Sequence, residues 1–330
     1  MSKVAVIGSN SFSGSHFVDR LLSNTQHTVI GTSRSPEPKD IYLPYRKNRN
    51  LKRFRFHRFD LNEDIAALLA FLDKEQPEIV VNYAAQNEVG PSWENPVHWY
   101  RTNALAVVAL THHLKDKKYL KRYVQISSPE IYGTCQGNVY ENAPYNPSTP
   151  YAASKAAGDM FIQTLIKSLD FPATIIRSTN VYGPGQKLFK IIPKAIISIK
   201  TGRKIPLDGG GKAIKSYIHI RDACDGTLKA IEHGRPGEIY HLSPASGFTI
   251  KSIVQRICEK LGKDFNEATE ITEERLGQDA AYIINSDKAR KELQWKPKIT
   301  IDEGLQSCID WVNGNWEIIA NERLAYAHKP

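Results

Sequence analysis

Short runs of β-branched and aliphatic residues recur through the first half of the chain, at residues 4–8, 28–32, 79–83, 123–127 and 174–178. The stretches between them have the wider apolar spacing of helices, over residues 16–22, 65–74, 95–115 and 152–168. Strands this short and this uniformly apolar are buried on both faces. Alternating with helices, they predict a parallel sheet covered on both sides. The first expectation is therefore a doubly wound α/β unit over residues 1–182.

The pattern changes after Tyr182. Residues 183–217 are rich in glycine, proline and lysine, and short apolar stretches alternate with turns. Residues 252–261 and 303–312 read as helices. This second half, residues 183–330, is expected to form a smaller α+β unit for substrate, with some segments returning to the first. Its loops would close over the mouth of the sheet, where open α/β folds bind their ligands.

Composition narrows the class. Across 330 residues, 41% are hydrophobic and 24% charged, which excludes a disordered, collagen-like or coiled-coil chain. The 44 basic and 35 acidic side chains leave a net charge of +9. That balance favours anionic partners such as phosphorylated metabolites. Residues 46–58 interleave cations and aromatics, as nucleic-acid binders do. The favoured reading is an amphipathic strand and loop before Asp60, so no nucleic acid is expected. The four cysteines have no metal-ligand or redox spacing, which indicates a reduced, cytoplasmic setting and no metal. No apolar stretch reaches the ~18 residues of a membrane span, so no membrane partner is expected.

Two constellations carry chemistry. The first is Gly8-Ser-Asn10-Ser11-Phe12-Ser13-Gly14, which follows the first strand and opens the first helix. Glycines admit a ligand close to the backbone. The helix N-terminus offers free N–H groups and a positive dipole end to a pyrophosphate. The second strand ends in Ser33-Arg34, where an acidic residue would hold the 2′-hydroxyl of NAD. A hydroxyl and a guanidinium suit the 2′-phosphate of NADP better, so NAD or NADP is expected with NADP favoured. Asp60 and Leu61 end a further extended stretch and would flank the adenine. The second constellation is Tyr151 and Lys155, four residues apart and so on one helical face. A cation beside a phenol favours the phenolate and makes a base of it. Upstream, Ser128 ends a strand, where it could bond a substrate hydroxyl.

Glycine turn, Ser128, Tyr151 and Lys155 in this order resemble an extended short-chain dehydrogenase/reductase with a Rossmann fold. Within that superfamily the chain is similar to the nucleotide-sugar 4,6-dehydratases of the dTDP-glucose and GDP-mannose types. The likeness spans nearly the whole chain. It runs through Ala84-Ala85-Gln86, Thr102-Asn103, Ser128-Pro-Glu130-Ile-Tyr-Gly, Thr179-Asn180-Val-Tyr-Gly-Pro, Lys190-Ile-Ile-Pro and Lys215-Ser-Tyr-Ile-His-Ile-Arg-Asp222.

The resemblance implies a bound nicotinamide dinucleotide held further by Ala84, Ala85, Gln86 and Thr102. It implies Tyr151 as the base on a sugar 4-hydroxyl, Lys155 as its electrostatic support, and Ser128 orienting the 4-oxygen. Glu130 stands at the position of the base that removes the proton on carbon 5. Pro129 stands where the dTDP-glucose enzymes carry an aspartic acid, leaving Glu130 or a water as the acid. Asn180, Lys190, Lys215 and Arg275 match positions facing the diphosphate, and Asn87, Glu88 and Ser92 those facing the hexose. The helices at 95–115 and 152–168 match those that pair into a homodimer. A 4-epimerase, a 4-keto reductase and a uronate decarboxylase share most of these motifs. A non-catalytic dinucleotide sensor or RNA-binding protein is the alternative of another class.

Overall fold

The computed structural model describes residues 1–137, 139–273 and 279–329. The first half runs β1 (Lys3–Ile7), α1 (Phe12–Asn24), β2 (Thr28–Ser33), β3 (Phe54–Arg58), α2 (Ile65–Glu75) and β4 (Ile79–Asn82). It continues with α3 (Val89–Glu94), α4 (Pro96–Tyr100), α5 (Ala106–Leu114), β5 (Arg122–Ser127), β6 (Cys135–Gln136), α6 (Pro150–Leu169), β7 (Ala173–Ser178) and β8 (Asn180–Tyr182). Then come α7 (Ile191–Lys200), β9 (Ile205–Asp208), β10 (Ile214–Lys215), β11 (Tyr217–His219), α8 (Ile220–His233) and β12 (Ile239–Leu242). The last elements are β13 (Phe248–Thr249), α9 (Ile250–Lys260), α10 (Phe265–Ala268), β14 (Thr269–Thr272), β15 (Ala281–Ile283), α11 (Asp287–Glu292), α12 (Ile301–Gly314) and α13 (Trp316–Ile319).

Seven strands form one sheet in the order β12-β7-β5-β4-β1-β2-β3, and every pairing in it is parallel. The order reverses between β1 and β4, the crevice in which such sheets bind ligands. One face of the sheet packs Val4, Val6 and Val81 against Phe17 and Leu21 of α1 and Leu228 of α8. The other packs Ala5, Val80 and Ile175 against Leu68 and Leu72 of α2, Leu110 of α5 and Ile162 of α6. A separate core lies between α7, α9 and α12. β12 comes from the second half of the chain yet completes the large sheet.

The apolar stretch 95–115 departs from the single helix its pattern predicts. Pro96 starts α4, and Arg101–Leu105 then form a π-helical turn before α5. The extra residue in that turn re-aims Asn103 inward. Its side-chain oxygen accepts the Gln86 N–H at 2.9 Å, and its amide donates to Gln86 O at 2.9 Å and to Ser154 Oγ at 3.0 Å. Such bulges interrupt helices where a site needs a side chain turned. α6 is firmly started: Pro150 occupies its first turn and the Thr149 hydroxyl accepts the Ala152 N–H at 3.1 Å.

The basic stretch 46–58 is taken up structurally. Arg53 donates to Thr25 O and His27 O at 2.9 and 2.8 Å and also to Leu22 O, closing the end of α1. Arg55 pairs with Glu75 at 3.0 Å. All four cysteines are free and buried. Among the described residues no helix is long and apolar enough to cross a membrane, and no group of three or more His, Cys, Asp or Glu side chains could hold a metal ion.

Candidate active site

The loop from Gly8 to Gly14 is tied to the end of β2. Thr32 O accepts the N–H groups of Gly8 and Ser9 at 2.7 and 3.1 Å, and Ser33 Oγ accepts the Asn10 N–H at 3.0 Å. Gly8 sits at φ +84°, and a Cβ there would lie 2.6 Å from Ala84 N, so only glycine fits between the strands. Ser11, in place of a middle glycine, caps α1 by accepting the Gly14 N–H at 3.0 Å. Phe12 and Ser13 follow in the first turn, whose N–H groups have no intrahelical partner. Asn10 Oδ1 is buried without a hydrogen-bond partner. A backbone cradle and an open helix N-terminus fit a dinucleotide pyrophosphate, and the unanswered Asn10 oxygen is an acceptor for a ligand hydroxyl.

At the β2 end, Arg58 Nε donates to Arg34 O at 2.9 Å and Asn10 Nδ2 to Ser35 O at 3.0 Å. Both terminal nitrogens of Arg34 reach Lys329 O, at 3.3 Å each. Asp60 turns inward on its own loop, accepting the Asn62 N–H at 2.8 Å, and Leu61 is part of the core. Asn62 in turn reaches Thr102 Oγ1 at 3.1 Å. Ala84 N donates to Asn82 Oδ1 at 3.1 Å.

The four candidate catalytic side chains meet where β5 ends beside α6. Ser128 caps the short 3-10 turn Pro129–Tyr132, which carries Glu130. Tyr151 and Lys155 lie one turn apart on α6 and are both buried. Lys155 Nζ donates to Ile126 O at 2.8 Å. Burial, and then the Glu130 carboxylate, raise the Tyr151 phenol, while its hydrogen bond with Ser128 opposes them. Two would-be anions thus share one dry site, with the Lys155 ammonium one turn along the same helix. Burial also lowers the Lys155 ammonium, against which Asp159 and then Glu130 act. Glu130 is itself raised by burial, with Lys215 and Lys190 opposing.

The substrate side is drawn from several elements. Lys190 pairs with Glu88 at 2.5 Å, and Glu88 holds φ +79°, a strained backbone for a residue with a side chain. Strain of this kind persists where surrounding contacts enforce it. Ser92 is buried and turned to the backbone, donating to Val89 O at 2.6 Å and accepting the Tyr151 N–H at 3.2 Å. It is thus placed to position Tyr151. Asn87 lies between Gln86 and Glu88 on this loop. Asn180 reaches Ser216 O at 3.5 Å. Arg275 lies outside the described residues.

Two features carried no sequence signal strong enough to single them out. β10, β15 and β6 are parallel neighbours, and their register sets Lys215, Tyr282 and Cys135 side by side. Lys215 Nζ lies 4.2 Å from the centre of the Tyr282 ring. Asp279 accepts from Tyr282 OH at 2.6 Å, Ser148 Oγ at 2.7 Å and Thr134 Oγ1 at 3.1 Å. This small sheet forms a wall beside Glu130. The second feature is the C-terminal segment. Lys329 O accepts from Gln86 Nε2 at 2.5 Å as well as from Arg34, so the segment spans the crevice between β2 and β4. His328 stacks on Trp99 and bonds His98 at 2.7 Å, and Tyr326 meets the edge of Phe189.

The sequence matches the family described as GDP-mannose 4,6 dehydratase over residues 6–308. It is 28% identical to the dTDP-glucose 4,6-dehydratase of Haemophilus influenzae, over 94% of this chain and 98% of the relative. A crystal structure of dTDP-glucose 4,6-dehydratase from Bacillus anthracis in complex with NAD is similar at a TM-score of 0.86. That pair is 28% identical over 96% of this chain and 98% of the other. The UDP-glucuronic acid 4-epimerase of Bacillus cereus, in complex with UDP-glucuronic acid and NAD, is similar at 0.84, with 25% identity over 94% and 99%.

Proposed function

The chain belongs to the GDP-mannose 4,6-dehydratase family, and from that premise we propose that it converts a nucleotide-diphosphate hexose to the 4-keto-6-deoxy sugar. The observation that carries this reading is Glu130. It is a carboxylate whose proton affinity is raised by burial, beside Ser128, Tyr151 and Lys155 and faced by Lys215 and Lys190. A 4-epimerase moves hydride only and has no use for a base there.

A bound nicotinamide dinucleotide would supply a reversible hydride acceptor for the sugar. The chain's own groups handle the protons. Tyr151, as phenolate, accepts the 4-hydroxyl proton while Ser128 holds the 4-oxygen. The resulting ketone acidifies carbon 5, and Glu130 takes that proton. Glu130 then gives a proton to the departing 6-hydroxyl, which leaves as water, because Pro129 has no proton to offer. A carboxyl pushed up by burial can serve as base and acid in turn. Carbon 5 is finally reprotonated with the proton that Tyr151 took from the 4-hydroxyl, passed on through Glu130 or a water, so that phenolate and carboxylate both end as they began.

The glycine loop, Arg34, Gln86 and Lys155 hold the dinucleotide in this reading. Ser33 and Arg34, with Arg58 behind them, favour NADP. Asn180, Lys190, Lys215 and Arg275 take the diphosphate, and the loop 87–92 takes the hexose. Residues 1–182 serve the dinucleotide and residues 183–330 mainly the sugar nucleotide. The protein works as a cytoplasmic homodimer through α4, the π turn and α6. Leu105 and Met160 are 64% and 56% exposed there. An open surface groove of about 520 Å³ runs along Ala153, Ala156, Ala157 and Met160.

The test is incubation with dTDP-glucose, GDP-mannose, UDP-GlcNAc, CDP-glucose and UDP-glucuronate, followed by mass spectrometry. Loss of one water without net cofactor change is the expected result. An isomer of unchanged mass, or loss of carbon dioxide, overturns the dehydratase reading in favour of an epimerase or a decarboxylase.

A further inference from the structure

Tyr151, Lys155 and Asp159 lie at successive turns of α6, roughly 6 Å apart along its axis. Asp159 is 1% exposed. All of its hydrogen bonds gather on one oxygen. Asp159 Oδ2 accepts from Ser127 Oγ at 2.7 Å, Arg177 Nη2 at 3.0 Å and Arg177 Nε at 3.4 Å. The other oxygen, Oδ1, is buried without a hydrogen-bond partner. A buried carboxylate oxygen left unanswered is unfavourable by more than a neutral group would be. Helical side chains lean toward the N-terminus, which turns Asp159 toward Lys155.

We propose that Asp159 is a positioning residue for the chemistry above: its carboxylate keeps Lys155 an ammonium and locks the end of β5, through Ser127, against the catalytic helix. The inference rests on the dehydratase reading for its kinetic part only. Ser127 precedes Ser128, so the same carboxylate sets both halves of the catalytic group, the hydroxyl on the strand and the phenol–ammonium pair on the helix. Arg177 of β7 pairs with that carboxylate at 3.0 Å. The guanidinium is fixed in turn by the hydroxyls of Tyr132 and Tyr145, whose rings each lie 4.9 Å from it. Tyr132 passes the network to His241 at 2.8 Å.

The charged and titratable groups around Lys155 are few. Asp159 and Tyr151 share its helix, Glu130 faces it from the 3-10 turn, and Arg177 stands behind Asp159 with Tyr132, Tyr145 and His241. Glu130 gives up its charge whenever it holds a proton during the reaction. Asp159 is then the remaining side chain that opposes the desolvation of Lys155.

The experiment compares wild type with Asp159→Asn and Asp159→Glu. Lys155 is followed by lysine-selective NMR, assigned with Lys155→Met, and turnover is followed against pH. In Asp159→Asn the Lys155 titration is expected to move to lower pH, and kcat to fall about 30-fold or more with KM within about threefold. Its alkaline limb moves toward neutrality, and Asp159→Glu restores most of the loss. If Asp159→Asn fails to fold with Arg177 stranded, the neutral pair Asp159→Asn with Arg177→Gln makes the same comparison. An unmoved Lys155 titration together with an unchanged pH profile overturns the proposal. A wild type that dehydrates no nucleotide sugar overturns the functional reading instead, and the Lys155 titration still decides the role of Asp159.

Discussion

Glu130 and Lys155, buried together where β5 ends beside α6, set the pH dependence of the enzyme as a pair. The folded-state pKa of Glu130 lies above the ordinary 4.5 and that of Lys155 below the ordinary 10.5. Activity that needs Glu130 ionised is lost as pH falls through its raised value. Activity that needs Lys155 charged is lost as pH rises through its lowered one. The expected profile is a bell with both limbs drawn inward, read from kcat against pH. Glu130→Gln should erase the acid limb and cut dehydration by about 10²–10⁴-fold. Solvent deuterium should then no longer enter carbon 5 of recovered substrate; continued exchange would remove Glu130 from the role of base. Tyr151 and Lys155 were legible in the sequence because helical spacing alone puts them together. Asp279 and Tyr282 were not, because they reach Glu130 only through the pairing of three strands distant in sequence. The Asp159–Arg177 link was hidden because it depends on how α6 packs against the strand that follows it.

The π turn shows how an element can carry the site without touching chemistry. Gly158 of α6 passes so close to it that a Cβ would lie 2.4 Å from Asn103 O. An alanine in mid-helix ordinarily stabilises by about 1 kcal/mol over glycine. Here overpacking of about 1–3 kcal/mol opposes it. Gly158→Ala should therefore show a net loss in urea unfolding, and a net gain would disprove the close approach. The apolar pattern of 95–115 suggested one helix because a π turn leaves hydrophobic spacing nearly intact. The C-terminal segment is the other element to test. Its Lys329 carbonyl occupies donors of Arg34 and Gln86 that the proposed dinucleotide needs. Deleting residues 321–330 should tighten dinucleotide binding, by up to about tenfold for one or two hydrogen bonds. Titration of the full-length and shortened chains measures this, and weaker binding would make the segment a clamp rather than a competitor.

At the scale of the whole molecule, alternating apolar runs made the doubly wound sheet legible. The seventh strand, β12, was not singled out, since its four residues are flanked by polar turns rather than by a recognisable repeat of the pattern. If α4, the π turn and α6 form the dimer contact, Leu105→Asp with Met160→Asp should give a monomer by sedimentation while the fold is kept. A dimer that survives the change would place the contact elsewhere. The four buried cysteines have a different consequence. Cys224 lies in the packing of the large sheet, Cys258 and Cys308 in the core of α7, α9 and α12, and Cys135 in the small cluster beside Glu130. Burial pushes the Cys135 and Cys308 thiols up to about 12 and raises Cys224 and Cys258 as well. A thiol reagent can therefore react only when one of these regions opens. The rate at which each cysteine is labelled becomes a clock for the breathing of its own part of the protein, with no probe having to be added.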